Sequence, residues 1–246
     1  MIVRTVVFCD VPIYKGFKCL DRFQLVPFPK KELNIIKKYA SHYPLFLEYK
    51  IEEVEEILPF EDKLKSMGFS DSRIHEARLY PIQNRVRKEI LQLLTCLTNY
   101  HFFSYDQSDA LWGTQVSLEK CDTSDEDFLF IETLKSKWTI GCYKNEDIKD
   151  LIINEFSMVS SYYDTFNDDY FTEDPTKNYS PEFSIPQYLE FSIEQYFNLE
   201  ETIYNKVRYC IGMLSDGIEL FDKKRSVSLL SIISSVEGMV KIDNMV

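Results

Sequence analysis

The chain has 246 residues, a formal net charge of −12 and a hydrophobic content of 45%. These values exclude a disordered chain, because the sequence holds ample apolar material for a core. Only 7 glycines and 9 prolines are present, too few turn-forming residues for a sandwich or a propeller, so helices should dominate. The length predicts one or two domains.

The sequence indicates neither a membrane span nor a signal peptide. The longest apolar region, residues 227–240, contains four serines as well as Glu237 and Gly238, and it is too short for a bilayer. The first ten residues have only a brief apolar run and no cleavage-site pattern. We therefore expect a cytoplasmic protein that makes no contact with a membrane.

The first third of the chain predicts short strands that alternate with helices. Residues 3–8, 22–27 and 45–51 are apolar or alternating runs that favour strands. Residues 30–41 and 52–67 are amphipathic, which predicts helices, and Gly68 is expected to end the second of these helices.

The clearest helical pattern of the N-terminal half covers residues 81–99. Its apolar positions recur with a period near 3.6 and are Ile82, Val86, Ile90, Leu93, Leu94 and Leu97. A separate helical piece is expected before it, with Ser70 or Asp71 as N-cap and its end at Tyr80.

The sequence after this helix is rich in aromatic and β-branched residues, and it predicts strands at residues 101–105, 111–118, 128–134 and 137–143. The last two strands should form a hairpin. The acidic run 121–127 lacks the ligand spacing and the central glycine of a calcium loop, so we expect a solvated loop. Residues 146–158 predict a further helix.

Residues 160–181 interleave acidic and aromatic side chains without a clear period. We interpret them as a connection between domains. The predicted division is a mixed α+β domain at 1–158, an acidic and aromatic linker at 159–184 and a helical domain at 185–246. The fold class is therefore α+β, with a small antiparallel sheet and helices followed by an all-α segment.

The helical domain predicts two long helices in an antiparallel hairpin. Asn198 and Glu201 resemble a capping box at the start of the first helix, and Ser226 should cap the second. Apolar residues expected to point inward from the second helix are Leu229, Leu230, Ile233, Val236 and Val240. Two helices cannot bury both apolar stripes, so the N-terminal part, a second copy or sequence missing from a truncated chain must cover them.

Few residues suggest catalysis or cofactor binding. The three histidines, His42, His75 and His101, have no partner at metal-ligand spacing, and the seven glycines form no phosphate-binding loop. The six cysteines contain no Cys-x-x-Cys pair and are expected to be reduced core thiols, with one reactive thiol as the alternative. We expect neither a metal nor a cofactor. Gly212 and Gly217 lie inside a predicted helix and indicate close helix packing.

Basic residues cluster once, and the cluster comprises Arg73, Arg78, Arg85, Arg87 and Lys88. Arg85 and Lys88 would share a helix face, and such a face could contact the phosphates of a nucleic acid. The alternative is a solvated surface paired with Glu76 and Glu89, which agrees with the negative charge of the whole chain.

The C-terminal segment carries three short patterns in order. Pro186 is followed by Tyr196-Phe-Asn-Leu199, then comes a long amphipathic stretch, and a serine-rich apolar run ends in Val236-Glu-Gly-Met239. This order resembles the opening half of the Apea-like HEPN domains of bacterial proteins. Residues 89–103 and the predicted strand around Trp112 are similar, more loosely, to the domain that precedes such modules.

The resemblance implies a helical bundle that often dimerises, here through the C-terminal helices, and a metal-independent RNase in many members. The catalytic signature of the family is Arg-x4-6-His on a later helix, and no such pair occurs in this chain. The resemblance therefore implies that the chain as it stands does not cleave RNA, and that RNA is a partner only with the missing half of the domain. Glu237 would orient an arginine supplied downstream, or it is a glutamate at the edge of a buried stripe.

Two functions follow from these observations. The first is the sensor region and partial HEPN module of a bacterial toxin or phage-defence RNase, in which residues 1 to about 160 recognise a trigger. The second is a non-enzymatic, acidic module that binds a protein partner through its surface and residues 160–181. RNA binding through the basic cluster is a third and weaker hypothesis.

Overall fold

The computed structural model describes residues 2–14, 16–20, 22–28, 33, 42–51, 61–98, 100–104, 143–144, 162–163, 185–221 and 224–243. The predicted α+β class is confirmed. A small antiparallel sheet lies in the N-terminal part, and the C-terminal part of the described chain is helical.

The described strands are β1 (Ile2–Cys9), β2 (Phe17–Cys19), β3 (Phe23–Pro27), β4 (Tyr43–Lys50), β5 (Phe102–Phe103), β6 (Tyr143–Lys144), β7 (Tyr162–Tyr163) and β8 (Ile185–Pro186). The main sheet has the order β2-β3-β4-β1-β5, and β6 also pairs with β1. β7 and β8 form a separate parallel pair. The described helices are α1 (Glu61–Ser66), α2 (Asp71–Thr98), α3 (Leu189–Phe197), α4 (Glu201–Leu220) and α5 (Arg225–Asp243).

The core lies between one face of the sheet and α2. β1 pairs with β4 over eight residues, so alternate side chains of both strands share a face. Val3 and Val7 of β1 and Leu47 of β4 lie in one hydrophobic cluster with Ile90 and Leu94 of α2. The Tyr49 hydroxyl donates to the Gln83 carbonyl at 3.2 Å, which adds a polar contact between sheet and helix.

The opposite face of the sheet carries a buried ion pair that the sequence analysis missed. Arg4 of β1 lies across from Glu48 of β4, and its Nε donates to the Glu48 carboxylate at 2.5 Å. The Gln24 amide of β3 also donates to this carboxylate. The Arg4 guanidinium lies 5.2 Å from the centre of the Phe46 ring, so burial of the charge is offset by several contacts.

α2 is one helix of 28 residues, so the predicted break at Pro81 is wrong. Proline removes one backbone donor and disfavours a helix interior. Ile74 and Leu79 before Pro81 and Leu94 after it are buried, and Pro81 itself is exposed. Burial of a continuous apolar stripe against the sheet outweighs the local cost of the proline.

α3 contributes to the same core as the sheet. Leu189 and Ile193 of α3, together with Ile185 of β8, belong to the cluster that contains residues of β1, β4 and α2. The Arg22 guanidinium lies 4.1 Å from the centre of the Phe197 ring. The division between residues 1–158 and 185–246 stays a prediction, and described residues of both ranges lie in one hydrophobic cluster.

The last two helices form the predicted hairpin, but α5 presents the other side to α4. The buried side of α5 carries Ser228 and Ser235, whose hydroxyls donate to the carbonyls of Gly217 at 2.6 Å and Cys210 at 2.7 Å. Side chains expected to point inward are exposed instead: Leu229, Leu230, Ile233, Val236 and Val240. Because serine is small, the serine side of α5 allows the two helix backbones to approach closely. This side therefore faces α4.

Two predicted helix starts are also wrong. Asn198 lies at the C-terminal end of α3, where its N–H donates to the carbonyls of Glu194 and Gln195. α4 begins at Glu201 without a side-chain cap, and α5 begins at Arg225, so Ser226 lies inside the helix.

Several predicted elements lie outside the described residues: 30–41 except residue 33, 52–60, 105–142, 145–161 and 164–184. Predictions for these residues include three strands, two helices, the acidic loop, the start of the helix at 52–67 and most of the linker. β2, by contrast, is a described strand that the sequence analysis did not predict.

Candidate functional site

The predicted nucleic-acid contacts all lie on α2, and they are Arg73, Arg78, Arg85, Arg87 and Lys88. Arg78 is bound to α1, since its Nε donates to the Glu61 carboxylate at 3.0 Å and its Nη2 donates to the second oxygen. Lys65 lies 3.1 Å from the same carboxylate. The Arg78 hydrogen bond is the main reason that the pKa of Glu61 lies below its usual value.

Three of the other basic residues of α2 have described side chains, one of them bound and two exposed. Arg87 donates to the Asn84 side-chain oxygen at 2.7 Å, whereas Arg85 and Lys88 are exposed. Arg73 lies in the first turns of the helix. A phosphate contact through Arg85 and Lys88 stays a prediction. A solvated helix face on an acidic chain would present the same two exposed cations.

A polar cluster joins α2 to the two following described helices. The Glu89 carboxylate accepts hydrogen bonds from the hydroxyls of Tyr196 on α3, at 2.7 Å, and Tyr204 on α4. Arg208 of α4 lies 3.9 Å from the second carboxylate oxygen. We expected Glu89 to pair with a basic residue of its own helix, and the structure gives it two phenol donors from distant segments instead.

This Glu89 cluster fits a structural role better than acid–base chemistry. Burial and the hydrogen bond to Glu89 raise the pKa of Tyr196 and, more mildly, that of Tyr204. Both phenols are therefore protonated donors at neutral pH. Such charge-assisted hydrogen bonds hold helices in register. Sequence reasoning could not find this cluster, because Glu89 lies more than 100 positions from Tyr196, Tyr204 and Arg208.

The most distinctive surface of the described chain is the exposed side of α5. We name this side the apolar face and define it as Leu229, Leu230, Ile233, Val236 and Val240. Their exposed fractions range from 52% to 65%, although residues of these types are usually buried. A repeat of three or four residues places them on one side of the helix.

Charged residues border the apolar face towards its two ends. Arg225 lies at the N-terminal end of α5, with its guanidinium 5.9 Å from the ring centre of Phe221. Glu237 lies near the C-terminal end and is exposed. The carboxylate of Glu237 is therefore accessible to a second molecule, and its proposed role of orienting an arginine stays a prediction.

The described cysteines are free thiols, and burial makes them poor nucleophiles. Cys9, Cys19 and Cys210 are buried and Cys96 is partly buried. Desolvation raises the pKa of the Cys19 and Cys96 thiols to about 12, and it raises that of Cys9 and Cys210 as well. Because the thiolate is the reactive form, these four thiols are inert at neutral pH. Cys121 and Cys142 lie outside the described residues.

Within the ranges that the structure describes, no three His, Cys, Asp or Glu side chains are grouped so as to hold a metal ion. No helix in that part of the chain combines the length and the apolar character needed to cross a bilayer. A comparison with protein-family models gives no match, and neither a curated protein nor a solved structure matches the chain.

Proposed function

We propose that this chain is an interaction module that associates with a second copy of itself through the apolar face of α5. The carrying observation is that the large apolar side chains of α5 lie on its exposed side, opposite the serines that contact α4. An exposed apolar stripe of this kind is typical of a protein interface.

The size of the apolar face is sufficient for a modest dimer. Two such faces packed together bury roughly 1,000 Å², which is close to the lower limit of specific interfaces. The same patch on both copies forms the isologous contact that a two-fold axis requires. Burial of leucine, isoleucine and valine side chains supplies the favourable free energy.

The helix dipoles favour an antiparallel arrangement of the two α5 helices, because they oppose each other in that orientation. A parallel arrangement would place Arg225 beside Arg225 and Glu237 beside Glu237, whereas an antiparallel one moves these like charges apart.

The finer proposal is that this module is the regulatory part of a bacterial HEPN-type RNase used as a toxin or in phage defence. It is supported by the resemblance of residues 185–199 and 228–240 and by the helical hairpin of α4 and α5. The sheet and α2 would then form the sensor for a trigger. The chain lacks the Arg-x4-6-His pair, so we expect the isolated chain to leave RNA intact in a nuclease assay.

Sedimentation equilibrium over a range of protein concentrations tests the association. We expect the wild-type chain to form dimers and the Ile233→Asp variant to remain monomeric at the same concentrations, because a charge in the centre of the interface must be desolvated. Ser234→Asp is the matched control, since Ser234 is exposed on the same helix but lies outside the apolar face.

The outcome separates the proposal from its alternatives. A wild-type chain that stays monomeric up to its solubility limit, or an Ile233→Asp variant that dimerises like wild type, contradicts the apolar face as the contact. Circular dichroism should show the same helix content in all three proteins, because position 233 is exposed. RNA cleavage by the isolated chain would contradict the regulatory role alone and leave the dimer intact.

A further inference from the structure

Two of the three histidines meet at one end of the sheet. Cys9 of β1 pairs with Tyr43 of β4 and with Phe102 of β5. Continuing these antiparallel registers by one position places Asp10 between His42 and His101. The three residues therefore form a row, His42-Asp10-His101, one position beyond the ends of three neighbouring strands.

The row is connected by specific contacts. The backbone N–H of His101 donates to the Asp10 carboxylate at 3.0 Å. The His101 ring stacks on Phe103 with centroids 4.8 Å apart and an interplanar angle of 20°. The His42 ring meets the same Phe103 ring edge-on, with centroids also 4.8 Å apart. The Phe103 ring of β5 therefore contacts both imidazoles of the row.

The electrostatic surroundings oppose a second positive charge in the row. His42 is half-buried, and this burial is the main reason that its pKa lies below the usual value for histidine. His101 acts in the same direction, whereas Asp10 favours the charged form. Cys9, at the end of β1, precedes Asp10, and burial raises the pKa of its thiol, so this group stays neutral through the range in which histidine titrates.

We propose that the row is a proton-sensitive contact that holds β5 on β1 at neutral pH and weakens when both imidazoles are protonated. Two cations would then share one carboxylate across the Phe103 ring, and His42 would carry its charge in a partly desolvated position. The β1 pairing of Phe102 and Phe103 is the element that responds. Phe102 is also fixed to α2, because its N–H donates to the Thr95 hydroxyl at 3.0 Å, so the proposed opening concerns the pairing with β1 and leaves this contact with α2 in place.

The direction of the pH effect follows from linkage. A histidine whose pKa is lowered by folding makes its full contribution to stability at pH values above its pKa in the unfolded chain, which is about 6.5. As the pH falls below that value, the opened chain binds a proton that the folded chain resists. The contact therefore loses stability on acidification, down to the lowered pKa of folded His42.

Hydrogen exchange of the full chain at several pH values tests the proposal, with protection factors for the peptide that covers residues 100–104. We expect the protection of the wild type to fall severalfold between pH about 7.5 and about 5.5, a range that brackets the usual histidine pKa. His42→Gln, which retains a polar side chain and cannot become charged, should lose most of this fall. His75→Gln is the matched control, because His75 lies on α2 away from the row, and it should behave like the wild type.

A His42→Gln variant with the full wild-type fall would overturn the proposal, as would a wild type whose protection does not change. If His42→Gln fails to fold, the imidazole resonances of the wild type provide the decisive measurement. A titration midpoint for His42 below about 6.5, accompanied by shifts of the Phe103 ring protons, supports the contact. A midpoint at or above that value contradicts it.

Discussion

The contact between the sheet and α2 and the contact between α4 and α5 are built from opposite kinds of side chain. The first buries large apolar residues, including Phe17, Leu47 and Leu94, each no more than 2% exposed. The second buries Ser228 and Ser235 and leaves leucine, isoleucine and valine exposed. An apolar stripe therefore identifies the packed side of α2 and misidentifies that of α5.

Distance between the backbones explains the difference. A Cβ atom added at Gly217 would lie 2.7 Å from Ile232 Cγ1, and one added at Gly238 would lie 2.5 Å from Cys210 Sγ. α4 and α5 thus approach too closely for larger side chains at these positions. The serine hydroxyls donate hydrogen bonds to carbonyl oxygens of α4, so their burial costs little free energy.

The largest expected difference in the free energy of unfolding is between two leucine-to-alanine substitutions, one in each region. Leu47→Ala should lower the free energy of unfolding by about 2–5 kcal/mol, because it opens a cavity in the sheet core. Leu230→Ala, with 65% of the wild-type side chain exposed, should change it by no more than about 0.5 kcal/mol. Urea denaturation at concentrations where the chain is monomeric measures both. A Leu230→Ala cost as large as that of Leu47→Ala would mean that the apolar face is packed within one chain.

Two glycines of α4 sharpen the argument about backbone distance. Gly217→Ala should cost about 1–3 kcal/mol, since Ile232 must move or the helices must separate. Gly212→Ala should be neutral or stabilising by up to about 1 kcal/mol, because its Cβ would make an ordinary contact of 3.5 Å with Gln92. Thermal and urea unfolding of the two variants measure the difference. Equal effects would contradict the close approach of α4 and α5.

The smallest expected effect concerns the serine hydrogen bonds. Ser235→Ala removes the donor to the Cys210 carbonyl and should cost about 1 kcal/mol relative to Ser234→Ala. Ser234 is exposed on the same helix, so this control cancels the helix propensity gained with alanine. If both variants unfold at the same urea concentration, the Ser235 hydroxyl contributes nothing to the hairpin.

Sequence patterns predict the structure well where an apolar helix stripe packs against the face of the sheet. The strand at residues 3–8, the stripe from Ile90 to Leu97 and the helical hairpin are close to the observed elements. Periodicity could not choose between the two sides of α5, because serine and glycine packing leaves no apolar signal. The Glu89 cluster and the His42-Asp10-His101 row depend on contacts between distant segments, so local patterns do not predict either one.

The participation of α3 in the sheet core has a consequence for biosynthesis. Leu189 and Ile193 share a cluster with Val3 and Val7, so residues nearly 190 positions apart complete the same interior. A nascent chain with its sheet already synthesised must wait until α3 leaves the ribosome before this interior closes. Contacts of such long sequence separation also favour slow folding, and the half-finished chain would expose the apolar surface of α2 to chaperones in the meantime.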